Sequence, residues 1–265
     1  MAQPSLRPMS VGEILDVAFA IYRRHLATLI TIAVALTGLP VVLFGAGAAV
    51  VMPTLLSNVL GVLLVVLVFL VGYIVLTQLA MGASVLVIAE GYLGRTLKAG
   101  DAVERTWGRL GLLVATGLLV GLVVGLGTLM ILIPGIILLC GLIITTQVVV
   151  LESPESATAA MGRAWSLSRG FRWRMFLLLL VAVVLTLVVV LGVNVLVSMV
   201  FDGFDAVEPG GSPAPWLTLL QQGVQLVANM IIAPLTYCIL TVAYYDLRVR
   251  KEAFDLEILA GSLAS

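Results

Sequence analysis

Six apolar runs dominate this 265-residue chain, over about residues 26–52, 59–88, 110–131, 134–151, 175–201 and 216–245. A bilayer core about 30 Å thick is crossed by about 20 apolar helical residues. Five of the runs reach that length and the fourth comes close. The predicted fold class is therefore all-α: an integral membrane helical bundle of six transmembrane helices. The second and sixth runs exceed a perpendicular crossing, so tilt, a kink or extension beyond the membrane absorbs the excess. Pro234 predicts a kink in the sixth, because it removes a backbone donor and crowds the preceding turn. Ile133-Pro134-Gly135 predicts a tight turn that splits one apolar stretch into a hairpin.

Composition closes the alternatives. Hydrophobic residues make up 62% and charged residues 11% of the chain, with a mean hydropathy of +1.21. Soluble domains hold about 45–50% apolar and about 25% charged residues. The formal net charge is zero, which argues against a nucleic-acid partner. Cys140 and Cys238 fall inside apolar runs. They have no metal spacing and form no disulfide framework, and read as small packing residues. Glu13, Asp16, Arg23 and Arg24 interrupt the first 25 residues. That pattern is unlike a cleaved signal peptide, so the first span is expected to act as an uncleaved insertion signal.

The cations set an orientation. All 14 Lys and Arg lie outside the runs, in connections on one side. They are Arg7, Arg23 and Arg24; Arg95, Lys98, Arg105 and Arg109; Arg163, Arg169, Arg172 and Arg174; Arg248, Arg250 and Lys251. The opposite connections hold none; one of them carries Asp202, Asp205 and Glu208. Arg and Lys are enriched in cytoplasmic loops. The expectation is a multi-pass protein of the cell (cytoplasmic) membrane with both termini in the cytoplasm.

Amphipathic stretches precede the odd-numbered runs, at residues 10–25, 100–109 and 156–169. Ser10 and Glu13 form a capping-box pattern at a helix start. About three interfacial helices are expected, with apolar faces in the acyl region and charges toward water. Gly12-Glu13, Asp16 and Phe19 align without gaps on Gly100-Asp101, Glu104 and Trp107, and the third stretch keeps the aromatic as Trp165. Glu90, Glu152 and Asp246 each end an even-numbered run. The chain thus reads as a single membrane domain, 1–265, built from three units at 1–92, 93–153 and 154–265. Each unit is an amphipathic helix, a span, a span and an acid. All three share one orientation, unlike the inverted repeats of many secondary transporters.

A carboxylate at a helix C-terminus faces the negative end of the dipole and wants a cation. Arg95, Arg163 and Arg248 follow Glu90, Glu152 and Asp246 at short range. The three acids are therefore candidate ion-pair sites that lock each hairpin to an amphipathic helix. Solvated interfacial carboxylates are the alternative, and a lipid or substrate role a further one. Gln78, Gln147, Asn194, Gln225 and Asn229 are the amides within the spans. They read as interhelical hydrogen-bonding residues, or else as the lining of a polar path. Arg169, Arg172 and Arg174, flanked by Trp165 and Trp173, are candidate lipid-headgroup contacts. Gly117, Gly121 and Gly125 recur at four-residue spacing, which suits close helix packing.

His25 is the only histidine, and no catalytic or phosphate-loop motif is present. No catalytic residue, cofactor or metal is expected.

Two ends of the chain carry a resemblance. One is Leu6-Arg7-Pro8-Met9-Ser10-Val11-Gly12-Glu13-Ile14-Leu15-Asp16 with Tyr22-Arg23-Arg24-His25. The other is Tyr244-Tyr245-Asp246-Leu247-Arg248-Val249-Arg250-Lys251-Glu252 with Phe254-Asp255-Leu256-Glu257. Ile133-Pro134-Gly135 and Trp165-Ser166-Leu167 lie between them. Together they resemble the glycerophosphoryl diester phosphodiesterase membrane domain, a bacterial multi-pass family. In some members that domain is joined to a phosphodiesterase barrel carrying the catalytic residues. Nothing after Glu257 matches the barrel, so no activity is carried over. The function expected is non-catalytic: an accessory or scaffold domain that organises membrane lipids or a membrane or cytoplasmic protein partner. A transporter or lipid-handling protein is the alternative. It requires a continuous polar cavity near the midplane that touches Gln147, Asn194 or Asn229.

Overall fold

This computed structural model describes residues 8–55, 58–202 and 215–252, with side chains over 8–47, 58–199 and 220–252. Arg7, the acidic residues Asp205 and Glu208, and the Phe254 to Glu257 motif lie outside the described residues. All regular structure described is helical: α1 (Val11–Ala33), α2 (Leu39–Leu55), α3 (Val59–Tyr92), α4 (Ala99–Trp107), α5 (Leu110–Met130), α6 (Leu132–Leu142), α7 (Thr145–Glu152), α8 (Ala157–Ser168), α9 (Arg172–Asp202) and α10 (Pro215–Glu252). Among the described residues six helical stretches are long and apolar enough to cross a membrane. The protein is an all-α multi-pass membrane bundle.

Ser10 starts α1 with the expected capping box: its side chain accepts from the Glu13 N–H, and Glu13 accepts from the Ser10 N–H at 2.6 Å. The helix does not stop at the membrane boundary. The amphipathic stretch and the first span are one helix, so the first unit has no separate interfacial helix. A five-residue π turn, Val34–Gly38, joins α1 to α2. Pro40 follows it, and widening the coil relieves the clash of the ring with the preceding turn. The second and third amphipathic stretches do form separate helices, α4 and α8.

The fourth run is broken rather than merely short. Ile143 and Ile144 separate α6 from α7, and the Thr145 hydroxyl donates to the Leu142 carbonyl across the break at 2.5 Å. The hairpin turn between α5 and α6 falls at Ile131, whose backbone is extended, and Pro134 sits in the first turn of α6. A side chain at Gly135 would meet the Thr128 Cα at 2.7 Å, so only glycine lets the two helices approach this closely. The small-residue face expected in α5 is only partly used. Gly117 packs on Gln78, whereas a Cβ added at Gly121 or Gly125 would meet nothing within 4 Å among the described residues. The close contact moves to Gly127, which faces Leu138 and Gly135.

The packed core sits at one end. The second half of α3, all of α7, the start of α9 and the last turns of α10 supply Ala83, Val87, Ile88, Val148, Met175, Leu178, Ile239 and Tyr244, all fully buried. Toward the other end Leu63, Leu67, Leu126, Leu191 and Leu196 are exposed. Burying Leu against Leu brings no hydrophobic gain within hydrocarbon, so that half need not close on itself.

The helices contact one another in cyclic order. The last helix of each unit packs on the amphipathic element of the next: α3 on α4, α7 on α8, and α10 back on α1. The amphipathic elements therefore bury part of their apolar faces on protein, while Phe19 and Trp107 stay exposed. Ile14, Ala18 and Ile21 of α1, Ala102 of α4, and Ala160 and Ala164 of α8 are all buried.

Candidate functional site

The acids cluster at the packed end, where each faces arginine. Glu90 lies in the last turn of α3. The helix closes in a Schellman arrangement: Arg95 N–H donates to Glu90 O at 2.8 Å and Gly94 N–H to Gly91 O at 3.1 Å. Gly94 supplies the left-handed residue, with φ of +79°. That reversal brings Arg95 back to 3.7 Å from the Glu90 carboxylate, and Arg105 of α4 reaches the other oxygen at 3.7 Å. Both arginines are largely exposed, so this is the loosest of the pairs.

Glu152 ends α7 and is held more firmly. Arg163 of α8 donates from Nε at 2.7 Å and from Nη2 at 3.3 Å, a two-pronged bond. The Tyr244 hydroxyl donates to the same carboxylate at 2.7 Å. Arg163 also pairs with Glu252, and Arg248 pairs with Glu252 at 3.1 Å and with Glu152 at 4.0 Å. The Arg163 guanidinium is pushed further above its ordinary pKa, first by the Glu252 hydrogen bond and then by that of Glu152. The Arg109 guanidinium caps the C-terminal end of α7 by donating to Val150 O.

Asp246 is the buried member, 1% exposed. It is not at a helix end, because α10 continues to Glu252. Its partner is not Arg248: Arg250 donates to Oδ2 at 2.9 Å, and Arg174 of α9 lies 3.2 Å from the same oxygen. Oδ1 accepts the Met9 backbone N–H at 2.8 Å. The Met9 carbonyl in turn accepts from both arginines, from Arg250 at 2.7 Å. The segment that starts α1 is thus clamped to the end of α10.

The three arginines expected to share a headgroup site are dispersed. Arg174 is engaged by Asp246. Arg169 is exposed at the end of α8. The Arg172 guanidinium carbon lies over the Trp165 ring, 3.8 Å from its centroid.

The amides are dispersed as well. Asn194 of α9 bonds across to Gln221 at 3.3 Å and Gln225 at 3.5 Å on α10. Asn229 donates to Gln225 O on its own helix. Gln78 rests on Gly117. Gln147 is fully buried, and among the described residues neither its oxygen nor its nitrogen has a hydrogen-bond partner. A cavity of about 480 Å³ lies between the π turn, α3 and α10. Thr37, Tyr73, Thr77, Ser84, Asn229 and Tyr237 give it polar lining, but the Thr37, Thr77 and Ser84 hydroxyls donate to carbonyls of their own helices. Gln147 and Asn194 do not line this cavity, so it does not join the three amides into one path.

Sequence reasoning missed Met9, Tyr244 and Glu252 as members of the charged network. Tyr244 and Glu252 carried a signal, since Glu252 stands four residues from Arg248 and Tyr244 precedes Asp246 by two. A backbone amide such as Met9 leaves none.

No curated protein and no solved structure matches this chain. Residues 66–247, well over half of its length, match the family described as Domain of unknown function (DUF7847). The matched stretch begins within α3, runs through α4 to α9 and ends in α10 just beyond Asp246, and the chain belongs to the DUF7847 family.

Proposed function

We propose that this protein is a non-catalytic scaffold of the cytoplasmic membrane, with both termini in the cytoplasm, organising lipid or a partner protein. The observation that carries this reading is the mutual engagement of the ionisable groups at the packed end. Glu152, Asp246, Glu252, Arg163, Arg174, Arg248 and Arg250 bind one another. Groups held this way fix helices in place. Proton transfer and nucleophilic attack call instead for a group poised toward a substrate. The resemblance to the glycerophosphoryl diester phosphodiesterase membrane domain, which hosts a separate catalytic barrel in some members, fits the same role.

Mass spectrometry of the detergent-purified protein tests it. Recovery of one stoichiometric protein partner supports the scaffold. Recovery of a bound small solute alone counts against it. Orientation has its own test. Cys140 and Cys238 are buried, so a cysteine placed at Arg105 reports cleanly. It is expected to react with an impermeant maleimide only after the membrane is opened. Labelling in intact cells overturns the orientation.

One observation favours lipid handling as a second reading. The cavity beside Asn229 is bounded by a π turn on one side and Pro234 on the other. A π-helical turn such as Val34–Gly38 recurs at functional sites. A photoreactive lipid that crosslinks to Tyr73 or Asn229 would favour this alternative.

A further inference from the structure

Of the three arginines near the start of α9, only Arg172 combines two properties: an unengaged charge and an apolar groove beside it. Among the described residues it makes no hydrogen bond and no ion pair. Its Nε is buried without a hydrogen-bond partner among the described residues, and the residue as a whole is part-exposed. The guanidinium packs over the Trp165 ring in a cation–π contact.

The groove, about 300 Å³, lies between α6 and α9. Ile133, Ile137 and Cys140 form one wall and Phe176 the other, with Arg172 and Trp173 at its head. Ile133 to Cys140 spans about 10 Å along the α6 axis. Among the described residues no carboxylate lines it. Trp173 is 71% exposed and stacks on Phe176 at 5.3 Å. An exposed indole at a helix end belongs at headgroup level.

We propose that this groove binds one phospholipid with an anionic headgroup. The phosphate sits on the Arg172 fork, beside Trp173, and an acyl chain follows the Ile137 wall. A slot whose only charge is an unpaired cation at one end selects an amphipathic molecule with its anion at one end. A planar guanidinium already fixed on an indole presents its donors to phosphate oxygens with little ordering cost. The proposal rests on the membrane placement above but not on the scaffold role.

The test is native mass spectrometry of the delipidated full-length protein, titrated with phosphatidylglycerol or phosphatidylcholine. The wild type should retain one phosphatidylglycerol and prefer it over phosphatidylcholine by about fivefold or more, the factor one interfacial cation supplies. Arg172→Gln should remove most of that preference, and Arg169→Gln should leave it unchanged. Ile137→Trp fills the groove and should abolish retention of either lipid while the helical circular dichroism holds. Ile137→Trp also keeps the test decisive should Arg172→Gln fail to fold. Wild-type lipid preference in Arg172→Gln overturns the site. So does wild-type retention in Ile137→Trp, or displacement of the lipid by inorganic phosphate at matched concentration. Recovery of a protein partner is measured separately, so failure of this site and failure of the scaffold role remain distinguishable.

Discussion

Asp246 accepts the backbone N–H of Met9 at 2.8 Å across 237 residues of chain. Through this bond the end of α10 closes on the start of α1, as α3 docks on α4 and α7 on α8. The first two closures use side-chain pairs, Glu90 with Arg105 and Glu152 with Arg163. The third uses a main-chain amide, with Arg174 and Arg250 bridging Asp246 to the Met9 carbonyl. Glu90, Glu152 and Asp246 thus serve one architectural purpose with different partners.

Asp246→Ala is expected to be the most damaging of the acid substitutions. It leaves Arg174 and Arg250 partly buried without their anion and frees the Met9 amide. Removing one partner of a buried pair costs about 3–5 kcal/mol. Thermal unfolding in detergent should show a large drop, and protease cleavage near residue 9 should quicken. An unchanged melting temperature would refute the closure.

Glu90→Gln should cost less than about 1 kcal/mol, because both its partners are largely exposed at 3.7 Å. Glu152→Gln should cost more, since it breaks a two-pronged bond and perturbs the network joining α7, α8 and α10. Unfolding midpoints of the two variants, compared side by side, check the order; the reverse order contradicts these pairings.

Gln147→Met should stabilise the protein or leave it unchanged. The amide is fully buried with no partner among the described residues, and an unsatisfied buried polar group costs about 1–3 kcal/mol. Methionine keeps the shape without that cost. A lower unfolding midpoint would mean that Gln147 has a partner of its own.

Gly135→Ala and Gly121→Ala should differ in sign. At Gly135 the new methyl meets Thr128 backbone atoms at 2.7 and 2.8 Å, so the α5–α6 hairpin must open and stability falls. At Gly121 nothing lies within 4 Å, and alanine is the better helix former, by up to about 1 kcal/mol. Equal effects in a melting assay would dispose of the hairpin contact.

Much of this architecture was legible in the residues. Apolar length predicted six crossings, the Ser10 box predicted where α1 starts, and Ile133-Pro134-Gly135 predicted a hairpin, displaced by two residues to Ile131. Glu90 and Glu152 face the arginines nearest to them in sequence, Arg95 and Arg163, because a helix reversal returns the chain locally. Asp246 does not. Its helix continues for six further residues, which turns Arg250 rather than Arg248 onto it and lets Arg174 approach from another helix.

Sequence alone determined which segments are helical and membrane-spanning, because hydrocarbon thickness and desolvation cost act on each segment independently of its neighbours. Tertiary structure alone decided which arginine is engaged and which is open. Arg169, Arg172 and Arg174 are alike in the chain, yet the rotation of α9 against α10 sends Arg174 to Asp246, and Trp165 of α8 holds Arg172 at the head of an apolar groove. The direction of a side chain depends on helix phase and on the neighbour opposite, and no local window of sequence contains either.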